Sequence, residues 1–160
     1  MRKKHFGGMR DYSKRDSSCY DAVMCGVVQR EAKLLGLKIP TKTFDYKKLL
    51  LDNYWTGSYF KDDMSSDTLT ADANIYPFWL GIITDKKLLE KTVKSMRKAK
   101  LDKPFPVRYV SSNKQKGKTI FTEFLVNNWE ASAIWPMSAL PFIDIVSRVI
   151  ERNVLVISFW

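Results

Sequence analysis

Ser18-Cys19-Tyr20-Asp21-Ala22-Val23-Met24-Cys25-Gly26-Val27-Val28-Gln29-Arg30-Glu31-Ala32-Lys33-Leu34-Leu35-Gly36 is the stretch from which the fold is read. Tyr20, Val23, Met24, Val27, Val28, Leu34 and Leu35 recur at three-and-four spacing, the period of one helix face. Ser17 and Ser18 supply side-chain oxygens of the kind that cap the free N–H groups at a helix start. Gly36 suits the left-handed residue that follows a helix end. The spacing therefore predicts a helix over Cys19–Leu35.

Outward from this segment the same period returns. Asp45–Tyr54 reads as a shorter helix with Leu49, Leu50 and Tyr54 inward. Ala73–Ile83 reads as an apolar helix with Ile75, Phe78, Trp79, Ile82 and Ile83 on one side, and Trp79 is placed in the core on that ground. Pro77 fits early in a helix, where a missing N–H costs little. Asp85 caps a helix over Lys86–Ala99 whose buried stripe is Leu88, Leu89, Val93 and Met96. Pro136 opens a last helix to about Asn153, which Pro141 should kink or delay. Residues 1–16 read as a basic loop. Trp55–Asp63 is an irregular, aromatic and acidic loop that residues 65–67 continue. Pro104–Val110 is extended, 111–118 is a lysine-rich loop, and 154–160 is an apolar tail of strand-like composition. No βαβ alternation and no glycine-rich phosphate loop appears. The expectation is an all-α chain of antiparallel helical hairpins spanning 17–153.

A chain of 160 residues with 45% hydrophobic residues is one domain's worth and can bury a core. Its longest apolar run, Ile75–Ile83, is too short to span a bilayer, and no apolar signal core follows the basic N-terminus. A cytoplasmic setting without membrane contact is the default expectation. Cys19 and Cys25 on one helix point about 120° apart and are poorly placed to bridge. His5 is the only histidine, which argues against Ser-His-Asp chemistry, Cys-His chemistry and most zinc sites. The net charge of +10 raises the question of nucleic acid. Its cations gather at residues 2–15, 86–103 and 114–118, and Lys86, Lys87, Lys91, Lys94, Arg97 and Lys98 fall mostly on the polar side of an amphipathic helix. No helix-turn-helix, zinc-finger or ribonucleoprotein motif accompanies them, so a nucleic-acid reader is not expected.

Two stretches join aromatic rings to carboxylates or amides: Asp72-Ala73-Asn74-Ile75-Tyr76-Pro77-Phe78-Trp79 and Trp129-Glu130-Ala131-Ser132-Ala133-Ile134-Trp135-Pro136. Rings cover the apolar faces of a pyranose, and carboxylates bind its hydroxyls or break its glycosidic bond. Trp129 and Trp135 suit stacking on sugar or burial in a helical core. Asp62 and Asp63 suit sugar hydroxyls, the raising of a neighbour's pKa by like-charge repulsion, or an acidic turn. Asp72 binds sugar, caps the Ala73 helix, or does both. Tyr59 and Phe60 stack on sugar or anchor their loop.

Four segments in order resemble the six-hairpin (α/α)6 glycosidases, the superfamily of trehalases, glucoamylases, mannosyl-oligosaccharide glucosidases and archaeal glycogen-debranching-type proteins. Gly8-Met9-Arg10-Asp11-Tyr12-Ser13-Lys14-Arg15 resembles the loop Gly-x-Asp-Asn-x-Pro-Arg that holds the family's catalytic acid. Ser18-Cys19-Tyr20-Asp21 and the helix to Gly36 resemble the helix that follows. Ala71–Ile82 resembles the Pro-Leu-x-Ala-Gly helix, with Phe105-Pro106-Val107 as the next extended stretch. Asn128–Pro136 resembles the segment Tyr-Trp-Arg-Gly-Pro-Ile-Trp, with Glu130-Ala131 in place of Arg-Gly.

The resemblance implies about half of an (α/α)6 toroid. It implies hydrolysis of an α-glucosidic or related linkage with inversion and without a cofactor or metal. Asp11 would be the general acid. The family's general base comes after the Trp-containing helix, where this chain offers no Glu, so Glu130 is a sugar-hydroxyl ligand or the reassigned base. An oligosaccharide or polysaccharide is the implied partner. A half-toroid would be a fragment, impaired alone, that pairs with a complementary N-terminal half or with itself. The alternative is a non-catalytic helical module for carbohydrate binding or protein interaction.

Overall fold

The computed structural model describes residues 5–7, 10–39, 42–110 and 133–157, with side chains described from Arg15 to Ile150. Five helices and two β-hairpins make up the described part. The strands are β1 (His5–Gly7), β2 (Arg10–Arg15), β3 (Lys61–Asp63) and β4 (Ser66–Leu69). The helices are α1 (Cys19–Leu34), α2 (Tyr46–Asn53), α3 (Ala71–Trp79), α4 (Lys86–Lys98) and α5 (Pro136–Ile157).

Local chemistry sets the helix starts. The Ser18 hydroxyl accepts from the Asp21 N–H, the Asp45 carboxylate from that of Lys48, and the Asp85 carboxylate from those of Lys87 and Leu88. Each satisfies a donor that the first helical turn leaves free. Gly36, at φ +68°, turns the chain out of α1. The polar face of α4 is exposed along Lys86, Lys87, Lys91, Lys94, Arg97 and Lys98, while Leu89, Val93 and Met96 are buried.

The all-α expectation is corrected. Residues 5–7 and 10–15, read as loop, pair antiparallel with His5 opposite Arg15. Residues 61–63 and 66–69 pair with Lys61 opposite Leu69 and Asp63 opposite Ser66. Both hairpins lack the apolar alternation that marks a half-buried strand. In β3 the buried residues are Asp62 and Asp63, so acids stand where a strand normally carries apolar side chains. Residues 154–157, read as strand-like, continue α5.

The core is built around α3, in which Ala71 to Phe78 are all buried. A helix buried all round must meet neighbours on every side: α3 packs on α1, α4 and α5, and β3 lies against it. Ile75, Phe78, Val23, Leu50, Phe60, Val93, Met96, Phe142 and Ile145 form one continuous cluster. At Gly26 the α1 and α2 backbones approach so closely that an added Cβ would lie 2.9 Å from Tyr46 Cβ. Helix α3 starts two residues earlier than its periodicity suggests and ends at Trp79, where Gly81 at φ +69° redirects the chain.

Two helices carry an internal proline, Pro77 in α3 and Pro141 in α5. A proline in a helix leaves the carbonyl four residues earlier without its N–H donor. Both freed carbonyls are met by side chains. The Cys19 thiol lies 3.9 Å from Ala73 O, and the Tyr76 hydroxyl lies 3.4 Å from Met137 O. These contacts tie α1 to α3 and α3 to α5 where the regular ladder is interrupted. Cys19 is buried and Cys25 exposed, and both thiols are free.

Candidate functional site

The most polar part of the interior lies at the N-terminal end of α3, where four chain segments converge. Strand β2 delivers Arg15, β3 delivers Asp62, the N-cap and first turn of α3 deliver Thr70 and Asp72, and an extended segment delivers Tyr109. Backbone pairing holds them in place: Thr70 bridges Val110, the Ala71 N–H donates to Tyr109 O, and the Tyr109 N–H donates to Ala133 O. Arg108 also bridges Ile134. The stretch that ends in Trp135-Pro136 is thereby fastened beside the same cluster.

Arg15 sits between two buried carboxylates. Its Nη1 lies 3.2 Å from Asp62 Oδ1 and its Nη2 lies 3.0 Å from Asp72 Oδ2. Nη2 also donates to the Tyr109 hydroxyl at 2.5 Å, and that hydroxyl donates in turn to Asp72 Oδ2. On its other oxygen Asp72 accepts from Thr70 Oγ1 at 2.6 Å and from the Ala73 N–H at 2.7 Å. Asp72 is 0% exposed, Asp62 2% and Arg15 3%. Burial by itself would raise the Asp72 carboxyl, but Arg15, Thr70, Tyr109 and the Ala73 N–H together hold it below its usual range. Burial likewise works against the Arg15 charge, and Asp72, Tyr109 and Asp62 more than reverse that. The Arg15 Nε and Nη1 atoms make no hydrogen bond, so the pairing at Asp62 is one of charge rather than geometry.

A second polar layer braces this one. Asn74 accepts from the Phe60 N–H and donates to Phe60 O and Thr70 O, each at 2.8 Å. Asp63 turns the other way, accepting from the Asp16 N–H at 3.2 Å and from the Ser65 N–H at 2.8 Å. Buried charge needs hydrogen-bonded partners, and both oxygens of Asp72 have them.

The residues singled out from the sequence fall into four groups. Asp62 and Asp72 are brought together on Arg15. Asp63 and Tyr59 belong to the β3–β4 region but face elsewhere, Tyr59 donating to Asp67 O at 2.8 Å. Trp135 is half-buried one residue beyond Ile134. Asp11 lies in β2, though its side chain is outside the described residues, as are Trp129 and Glu130 altogether. Sequence reasoning missed Arg15, Thr70 and Tyr109. The available signal was Arg15 itself: two acids expected near an apolar helix require a cation, and Arg15 closes the first of the four resembling segments.

Chemically, the cluster is a closed set of ion pairs. Asp72 is ionised and accepts four contacts, so it is not a proton donor. It holds β2, β3 and the segment around Tyr109 in register at one end of α3. Among the described residues no group of three or more His, Cys, Asp or Glu side chains is arranged to hold a metal ion, and no helix is long and apolar enough to cross a membrane. Comparison of the chain with family models, with curated proteins and with solved structures finds no match.

Proposed function

We propose that this protein is carbohydrate-active and of the glycoside-hydrolase kind, acting on an α-glucosidic or related linkage in a cytoplasmic setting. One observation carries the reading. The segments that resemble glycosidase motifs are far apart in sequence, yet β2, the start of α3 and the stretch leading to Trp135 meet at the N-terminal end of α3. A hydrolytic cleft needs this kind of gathering, since acid, base and sugar-stacking groups must surround one bond. In this reading Asp11, four residues before Arg15 in β2, is the general acid. Glu130, three residues before the anchored Ala133, is the second carboxylate. Arg15, Asp62 and Asp72 position β2, the strand that carries Asp11.

A non-catalytic carbohydrate-binding module is the second reading, and it also has an observation in its favour. The two described carboxylates that meet, Asp62 and Asp72, are both committed to Arg15 and cannot serve as an acid–base pair. Hydrolysis of maltotriose, trehalose and glycogen separates the two readings. The enzyme reading expects turnover that falls about 100-fold or more in Asp11→Asn and in Glu130→Gln, the scale of a lost acid or base. Saturable sugar binding without turnover selects the binding module. Turnover that survives Asp11→Asn removes Asp11 from the acid role, and neither binding nor turnover ends the carbohydrate proposal.

A further inference from the structure

The opposite end of α3 opens onto a separate cleft. Eight consecutive residues of the helix, Ala71 to Phe78, are buried, and then Trp79 emerges 40% exposed. Its indole meets the Tyr76 ring edge-on, with centroids 5.9 Å apart. Beside it lies a cleft of about 350 Å³ between the end of α3, the start of α4 and the middle of α5. That size is at the small end of ligand sites, which run from roughly 300 to 1,000 Å³.

The groups that line the cleft with Trp79 define what it would take. Thr84, Lys86 and Arg148 offer donors, and Asp85 and Glu90 offer acceptors. Two cations face two carboxylates, so neither an anion nor a cation is favoured by charge. Asp85 is engaged in capping α4, and Arg148 pairs with Asp144 while reaching Phe78 O at 3.4 Å. These bonds fix the walls, and the exposed indole is the broadest apolar surface beside Ile83, Leu89 and Val149. A neutral, polyhydroxylated ligand with one apolar face matches mixed donors and acceptors around a ring.

We infer that this cleft is a saccharide subsite for a neutral mono- or disaccharide unit, with Trp79 as the stacking platform. The inference rests on the carbohydrate reading above but places binding at the other end of α3 from the Arg15 cluster. An auxiliary subsite of this kind would hold a chain already engaged elsewhere, raising its local concentration.

Calorimetric titration of the full chain with maltose and maltotriose tests it. The expected result is saturable binding that weakens about tenfold or more in Trp79→Ala, a loss of ~1.4 kcal/mol. Exposed Lys86→Ala is a second variant that does not endanger folding, and it should weaken binding severalfold. If the wild type binds sugar and both cleft variants bind equally well, the subsite is wrong and the carbohydrate reading stands. If the wild type binds neither sugar, both fall.

Discussion

At the N-terminal end of α3 Asp72 is 0% exposed with both oxygens occupied, whereas at the C-terminal end Trp79 is 40% exposed beside an open cleft. One nine-residue helix thus joins two regions built on opposite terms. The first encloses its charges and uses them to fasten β2, β3 and the Tyr109 segment. The second keeps its charges at the surface, pairs them locally and leaves a ring uncovered. Buried ions are costly to leave unpaired, so the first end should be sensitive in stability. Exposed pairs contribute little, so the second should be sensitive only in binding.

The sharpest way to break that comparison is Arg15→Met, which strands Asp62 and Asp72 without a cation. A loss of about 3–5 kcal/mol is expected. At ~2–4 °C per kcal/mol for a chain of this size, thermal unfolding should fall by about 10 °C. A melting curve within a degree of wild type would mean that the cluster is not holding the fold.

Next in size is the acid limb of stability. The folded Asp72 carboxyl lies below its usual value, so it binds protons less readily in the native state than in the unfolded one. Its stabilisation is therefore fully present above the ordinary carboxylate value of ~3.9 and is lost as pH falls through the lower folded value. Urea unfolding between pH 6 and 3 should show stability declining at the acid end. In Asp72→Asn that decline should be shallower and start from a lower plateau. Identical pH profiles for the two proteins would remove Asp72 as the linked group.

Tyr109→Phe deletes one hydroxyl from the same end, and chemical denaturation should register a loss of about 1.5–3 kcal/mol for a hydrogen bond to a charged group. Tyr76→Phe, which frees Met137 O again beneath Pro141, should cost about 1 kcal/mol. At the other end, Lys86→Ala should change stability by less than about 0.5 kcal/mol while still weakening saccharide binding. A Lys86→Ala protein that unfolds much earlier than wild type would erase the contrast between the two ends.

The sequence made one half of this contrast readable. Helices α1, α2, α4 and α5 announced themselves through three-and-four spacing, and Ser18 and Asp85 marked the starts of α1 and α4, because each signal is local. The hairpins were illegible for a physical reason. Asp62 and Asp63 are the buried residues of β3, and the cation that makes Asp62 tolerable, Arg15, lies 47 residues earlier in the chain. No window of pattern reading joins them. Trp79 misled in the other direction. It continues the apolar stripe of α3 and so reads as core, but the helix ends there and Gly81 turns the chain away, leaving the indole at a cleft edge. Asp72, expected as the cap of a helix from Ala73, lies instead in the first turn of α3 with Thr70 at the N-cap, and its main partner again came from β2.

The most direct test of the carbohydrate account is thermal unfolding of the full chain with increasing maltotriose. A ligand that binds only the folded state stabilises it by about 2.7 kcal/mol at a hundredfold excess over Kd, so the account predicts a saturable, concentration-dependent rise in Tm of several degrees. A Tm that stays fixed with maltotriose, trehalose and glycogen up to their solubility limits would contradict it.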